Sequence, residues 1–138
     1  MEITAHFAGN MRVNAAIDDH LIETDQSVAN GGEGAAPEPF DLFLASIVTC
    51  AGSYALSFMK ARGIDAAGSR LTMTVERDER TRLLTDVQLT LHLPPGFPDK
   101  YRAPVRRSME KCSVKRCLLE PPVISVTTAD AAEPPAVP

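Results

Sequence analysis

An uncharged run of apolar and small residues, from Leu42 to Met59, constrains the fold of this chain more than any other feature. Its length is typical of a helix, and the cations Lys60 and Arg62 before Gly63 indicate where that helix ends. A helix that is apolar on every side has to be covered on every side. Because a chain of 138 residues is small for that task, the sequence predicts that a partner subunit or a wrapping sheet covers the helix.

The same run is long enough to span a bilayer, so a membrane location is an alternative interpretation. Serine, threonine and glycine residues dilute its hydrophobicity, and strand patterns rather than further apolar spans flank it. We therefore interpret it as a core helix and expect no membrane partner. The first residues lack the charged start and apolar stretch of an export signal, so we expect a reducing cytoplasm, where cysteines remain thiols.

Alternating segments that are typical of strands lie on both sides of the predicted helix. They indicate a three-stranded meander and then a long hairpin, over residues 2–7, 11–17, 20–24, 70–78 and 87–93. A second helix is expected from about Lys100, with Met109 and Cys112 near one stripe, and a last strand over residues 123–127. This order predicts an α+β protein with one domain over residues 1–128 and a flexible tail over residues 129–138.

Charge and histidine placement exclude two classes of function. The net charge of −4, from 18 acidic and 14 basic residues, offers no positive field that would attract a nucleic-acid backbone. His6, His20 and His92 lie on different predicted strands without the spacing of metal ligands. We therefore expect no nucleic-acid partner, no metal site and no cofactor.

The three cysteines, Cys50, Cys112 and Cys117, indicate redox chemistry. A cycle through thiolate, sulfenic acid and disulfide needs one thiol that is oxidised and a second that resolves it. Cys112 and Cys117 are both candidates for the resolving thiol, and their spacing points them to different helix faces. A cysteine on an apolar helix is also commonly just a small buried hydrophobic residue, and this alternative stays open for Cys50.

The residues around two of these cysteines resemble the OsmC/Ohr family of osmotically induced and organic hydroperoxide resistance proteins. After a glycine-rich loop, a proline, an acidic residue and an apolar run lead to a cysteine in Pro39-Phe-Asp-Leu-Phe-Leu-Ala-Ser-Ile-Val-Thr-Cys50. Cys112-Ser-Val is similar to the family's second cysteine motif. The resemblance covers about residues 1–128 and implies antiparallel sheets wrapped around a long buried central helix, in an intertwined homodimer.

The activity that this resemblance implies is that of a thiol-dependent peroxidase. Cys50 would attack the peroxide as a thiolate, and Cys112 would resolve the sulfenic acid. The resemblance also implies an active-site arginine, for which Arg12 is the candidate, and Asp41 would orient it through a charge-assisted pair. A dithiol reductant, which is a lipoyl protein, thioredoxin or a small thiol, would restore the enzyme.

Two features of the first motif bear on the substrate site. Phe40, Phe43 and Phe58 would exclude water and favour organic hydroperoxides, although Phe40 stands where the organic hydroperoxide branch has a glutamate. On an ideal helix Asp41 lies about 13 Å along the axis from Cys50 and on the opposite side. It could reach the site only from the partner subunit or through an irregular helix start.

A second interpretation from a different class of protein remains. The chain could form a non-enzymatic dimer with the same fold that binds a small apolar ligand, with cysteines that are incidental or that only sense the redox state. A disulfide between Cys50 and Cys112 would separate the two interpretations, since it requires Cα atoms within about 7 Å of each other.

Overall fold

The computed structural model describes residues 1–130, so residues 131–138 of the predicted tail lie outside the described part of the chain. The first sheet is an antiparallel meander of β1 (Ile3–Gly9), β2 (Arg12–Ile17) and β3 (His20–Ile22), in the order β1-β2-β3. Asp18, at φ 48°, closes the turn between β2 and β3. The predicted meander is confirmed. Within a single chain, every residue of β1 is exposed.

The long helix α1 (Pro39–Lys60) confirms the main prediction from the apolar run. Pro39 occupies the first turn, where a missing N–H costs nothing, and the Glu38 N–H donates to the Asp41 carboxylate at 3.1 Å. Within the chain, only one side of the helix is buried. The residues that bury it are Ile47, Ala51, Ala55, Phe58 and Met59.

Among residues 1–130, α1 is the one helix whose length and mean hydropathy, 1.7, would allow it to cross a membrane. The core helices of soluble proteins often meet the same criterion, so the location of this helix outside a membrane stays a prediction.

A long antiparallel hairpin of β4 (Arg70–Arg77) and β5 (Leu84–His92) follows the helix, as predicted, although β5 begins earlier than expected. Apolar residues pair across it, in particular Leu71 with Leu91 and Met73 with Leu89. The leucines of this face pack against the buried core between the helices. The hairpin therefore covers the same side of α1 that the next helix covers.

The predicted second helix is broken into α2 (Arg102–Met109) and α3 (Ser113–Leu119). Cys112 lies at the break in an extended conformation, with φ −50° and ψ 125°, and its carbonyl accepts the N–H of Arg116 to begin the new helix. The prediction of one continuous helix was wrong because the apolar stripe continues across the break. Cys112 is buried in the same core as Met109.

The predicted last strand over residues 123–127 is not formed within the described chain, so this prediction was wrong for the isolated chain. The apolar side chains of the segment are strongly exposed, namely Val123, Ile124 and Val126. An alternating sequence becomes a strand only where another strand satisfies its backbone N–H and C=O groups. The described part of the chain does not supply that strand.

Candidate functional site

The fold brings Cys50 and Cys112 together. Cys50 lies half-buried in the middle of α1, and Cys112, at 1% exposure, lies between α2 and α3. The small residues Ala51 and Ala55 let α2 approach α1 closely, and Cys50 packs against the core cluster that contains Cys112. Both cysteines are free thiols in this structure.

The surroundings of the two thiols shift their pKa values in opposite directions. The hydrogen bond from Cys112 lowers the pKa of Cys50 most, and the backbone N–H groups of Val114 and Ser113 lower it further, against the opposing effect of burial. Burial raises the pKa of Cys112, and so does its hydrogen bond to Cys50. The surroundings therefore favour the thiolate at Cys50 and the protonated thiol at Cys112.

The break at Cys112 creates the amide donors at this site. The first N–H groups of a helix have no partner within the helix. Because a new helix begins at Ser113, the amides of Ser113 and Val114 do not continue the hydrogen-bond ladder of α2, and these are the amides that lower the pKa of Cys50. These donors are uncharged, and they favour a thiolate by hydrogen bonding.

The opposite pKa shifts predict different alkylation profiles for the two cysteines. In a Cys117→Ser background, Cys50 should react with iodoacetamide at pH values where an ordinary thiol is still protonated, because the thiolate is the reactive form. Cys112 should react only at higher pH, where its proton is lost. Mass spectrometry of peptides after timed alkylation measures both rates. Equal profiles for Cys50 and Cys112 would contradict the arrangement of donors described above.

Arg12 lies at the start of β2 and is not among the groups that shift the pKa of Cys50. Its Nη2 donates to the carboxylate of Glu33, and its Nε lies 3.9 Å from Oδ2 of Asp25. The expected pair between Arg12 and Asp41 is not formed among the described residues, because the Asp41 carboxylate accepts the Glu38 N–H at the start of α1. The partners of Arg12 come instead from the loop between β3 and α1.

Within one chain, the three phenylalanines form two separate groups along α1, and their role in a substrate pocket stays a prediction. Phe40 and Phe43 contact each other near the start of α1, with ring centroids 5.4 Å apart. Phe58 packs near the other end, where its centroid lies 5.9 Å from that of Tyr101 and 3.6 Å from the guanidinium carbon of Arg62. Both groups bury apolar surface, but they lie at opposite ends of the helix.

A largely apolar cavity of about 360 Å³ lies beside the elements that bear the cysteines. Its apolar lining includes Ile47, one turn before Cys50, and Met109, in the last turn before Cys112. The other lining residues are Val87, Leu89, Arg106, Glu110, Lys115 and Leu118. Its volume is within the range of small-molecule sites. Among residues 1–130, no group of histidine, cysteine or acidic side chains is placed to hold a metal ion.

The comparison with known families agrees with this geometry. Residues 31–127 match the family described as OsmC-like protein. This chain belongs to the OsmC family. The match includes both motif cysteines, the glycine-rich loop and the whole of α1, and it ends in the segment after α3. Among curated proteins, no sequence matches this chain at a significant level.

Solved structures confirm the OsmC fold, although their sequences are distant. An OsmC-like protein from Mycoplasma pneumoniae is 16% identical with a TM-score of 0.68, covering 86% of each chain. An organic hydroperoxide resistance protein from Legionella pneumophila is 19% identical with a TM-score of 0.57, covering 85% of this chain and 87% of its own. The organic hydroperoxide resistance protein OhrB of Bacillus subtilis is also 19% identical, with a TM-score of 0.52 and coverage of 84% and 87%.

Sequence reasoning about this OsmC-like protein missed two parts of the site. The backbone amides of Ser113 and Val114 depend on a break that periodicity does not reveal. Asp25 and Glu33, which flank the guanidinium of Arg12, lie before and within the glycine-rich loop. An acidic residue directly after a strand, followed by glycines that permit a tight loop, is the signal that could have indicated Asp25.

Proposed function

We propose that this OsmC-like protein is a thiol-dependent peroxidase that reduces organic hydroperoxides. The placement of Cys50 against the core cluster that contains Cys112 carries the proposal, because a two-cysteine cycle requires the two thiols to lie near each other and an incidental pair of core cysteines does not. The lowered pKa of Cys50 supports the role of nucleophile, and the raised pKa of Cys112 supports the role of resolving thiol.

The proposed cycle has three balanced steps. The Cys50 thiolate attacks the outer oxygen of the hydroperoxide, the O–O bond breaks, and the alkoxide leaves and takes a proton to become an alcohol. The Cys112 thiol then attacks the sulfur of the sulfenic acid, which forms the Cys50–Cys112 disulfide and releases water. An external dithiol reduces this disulfide by exchange and is itself oxidised to a disulfide.

The cavity beside Ile47 and Met109 supports the preference for organic substrates. Its apolar lining would hold the alkyl or aryl group of a hydroperoxide and exclude water from the reacting oxygens. Two proteins that share the fold, from Legionella pneumophila and Bacillus subtilis, are named organic hydroperoxide resistance proteins. The dithiol reductant is of the lipoyl, thioredoxin or small-thiol class, and the proposed location is the cytoplasm.

We also propose that the active protein is an intertwined homodimer, because three apolar surfaces have no cover from residues 1–130. The first is the sheet of β1, β2 and β3, and the second is the outer side of α1, where Leu56 is exposed. The third is the segment 123–127, whose backbone needs a strand to pair with. A second copy offers complementary elements for all of them, as in isologous dimers.

The dimer also explains how an arginine could serve Cys50. The Asp25 N–H bonds the Pro37 carbonyl at 3.3 Å, so the surroundings of Arg12 lie near the start of α1. Along an ideal helix, Cys50 lies roughly 16 Å beyond that start, which is farther than an arginine reaches. We therefore assign Arg12 to the Cys50 of the partner subunit.

In sedimentation equilibrium, we expect the protein to have twice the chain mass of 14.9 kDa. Leu56→Asp should weaken the dimer by at least about 10-fold in Kd, because a charge would be buried in the interface. Leu83→Asp is the matched control, since Leu83 is equally apolar and exposed but lies in the turn between β4 and β5. A monomeric wild-type protein would contradict the proposed assembly.

The function is tested by incubating the pure protein with cumene hydroperoxide and dithiothreitol. We expect peroxide to be consumed over many turnovers, and one equivalent of peroxide without reductant should give a Cys50–Cys112 disulfide in peptide mass spectra. The rival interpretation, a dimer that only binds apolar ligands, predicts saturable binding of such a ligand without turnover. The absence of both turnover and disulfide would refute the peroxidase.

A further inference from the structure

The most enclosed carboxylate among the described residues is Asp25, which lies three residues after the end of β3 and is 0% exposed. It accepts backbone N–H groups from Gln26 at 2.8 Å, Glu33 at 3.1 Å and Ala35 at 3.0 Å. These amides lower the pKa of Asp25, that of Ala35 most, against the opposing effect of burial. The ionised side chain of Asp25 thus holds the loop between β3 and α1 through three backbone amides.

The same carboxylate also faces the guanidinium of Arg12. Oδ2 of Asp25, which holds the amides of Glu33 and Ala35, lies 3.9 Å from Arg12 Nε. This Nε is buried and has no hydrogen-bond partner among the described residues. A buried N–H without a partner is costly, so the guanidinium needs the nearby carboxylate to stay in this position.

Glu33 contacts the other end of the guanidinium and is much more exposed to solvent than Asp25. Its carboxylate pairs with Arg12 Nη2, but its side chain is 55% exposed to solvent. An exposed ion pair contributes little to stability and exchanges readily. The buried Asp25 therefore supplies a fixed negative charge beside the guanidinium, whereas the hydrogen-bonded Glu33 can be displaced by another anion.

We propose that these two carboxylates act in opposite directions on the arginine that serves the thiol of Cys50. Asp25 is a positioning residue that holds the guanidinium and the loop in place, whereas Glu33 draws the positive charge away from the thiolate. The inference rests on the proposed function, and in particular on the assignment of Arg12 to the Cys50 of the partner subunit. In this arrangement, the acidic partners of Arg12 are Asp25 and Glu33 in place of Asp41.

The test is the alkylation rate of Cys50, resolved by peptide mass spectrometry over a range of pH in the full-length protein. Asp25→Asn should shift the profile to higher pH, which slows the reaction about 3- to 10-fold below the pKa. Glu33→Gln should shift it to lower pH and speed the reaction about 3-fold. Glu23→Gln is the matched control and should change nothing, since Glu23 makes no ion pair or side-chain hydrogen bond among residues 1–130 and is exposed.

Opposite shifts are the result that a merely structural role would not produce. If Asp25→Asn fails to fold, the test uses Glu33→Gln in two proteins. One retains Arg12, and the other carries Arg12→Gln. We expect the effect of Glu33→Gln to vanish without the arginine. Shifts of the same sign, or an effect of Glu33→Gln that persists in the Arg12→Gln background, would overturn the inference. Because alkylation needs no peroxide, opposite shifts in a protein without turnover would refute only the peroxidase.

Discussion

Replacing Cys50 with serine is expected to lower the rate of organic hydroperoxide reduction by about 1000-fold or more. A serine hydroxyl is not ionised at neutral pH, so the donors that favour a thiolate at this position would have no anion to stabilise. Its oxygen also cannot take the place of sulfur in accepting an oxygen atom from the peroxide. The measurement is the initial rate of cumene hydroperoxide loss with dithiothreitol in excess.

Two further substitutions separate the roles of the cysteines. Cys112→Ser should still reduce one equivalent of peroxide, and the resulting sulfenic acid on Cys50 should be trapped by dimedone and detected by mass. Cys117→Ser should retain the wild-type rate, because Cys117 is exposed on α3 and is not the thiol that contacts Cys50. A Cys50→Ser protein with full activity, or a Cys117→Ser protein without any, would contradict the assignment.

Gly32→Ala is expected to destabilise the protein by about 3 kcal/mol. A Cβ at this position would lie 2.0 Å from the carbonyl oxygen of Gln26 and 2.8 Å from Oδ1 of Asp25. The first contact is with backbone, so the loop itself would have to move. Urea denaturation at a fixed protein concentration measures the change in the free energy of unfolding.

Gly34→Ala is the matched control in the same loop. Gly34 has φ +66°, but a Cβ there would meet no atom within 4 Å. The expected cost is only the left-handed backbone strain of about 1 kcal/mol. Gly32 is close to the Asp25 carboxylate, which we propose positions the guanidinium of Arg12. Gly32→Ala should therefore also slow the alkylation of Cys50. Equal destabilisation by the two substitutions would show that the close approach at Gly32 does not matter.

Local patterns predicted most elements of the fold. The uncharged run specified α1, and alternation specified β4 and β5, since these periodicities reflect the face that each element buries. The same reasoning joined α2 and α3 into one helix. An apolar stripe reports which residues are buried and carries no information about a single residue that leaves the helical backbone, as Cys112 does.

The charged part of the candidate site was harder to predict than the thiols. Both cysteines could be named from their motifs, whereas the partners of Arg12 could not. Asp25 and Glu33 are separated by a loop, and their meeting at one guanidinium depends on how that loop closes. Asp41 was the natural choice from the sequence, but the start of α1 requires its carboxylate for the free N–H of Glu38.

By itself, the sequence determined the helix that forms the core, the two sheets around it and the pair of cysteines that the chemistry needs. Only the tertiary structure decided that Cys50 packs against the cluster that contains Cys112, that amides at the start of α3 lower the pKa of Cys50, and which carboxylates hold Arg12. The reason is physical. Burial patterns repeat along the chain and can be read locally, whereas hydrogen bonds between distant residues depend on how the elements pack.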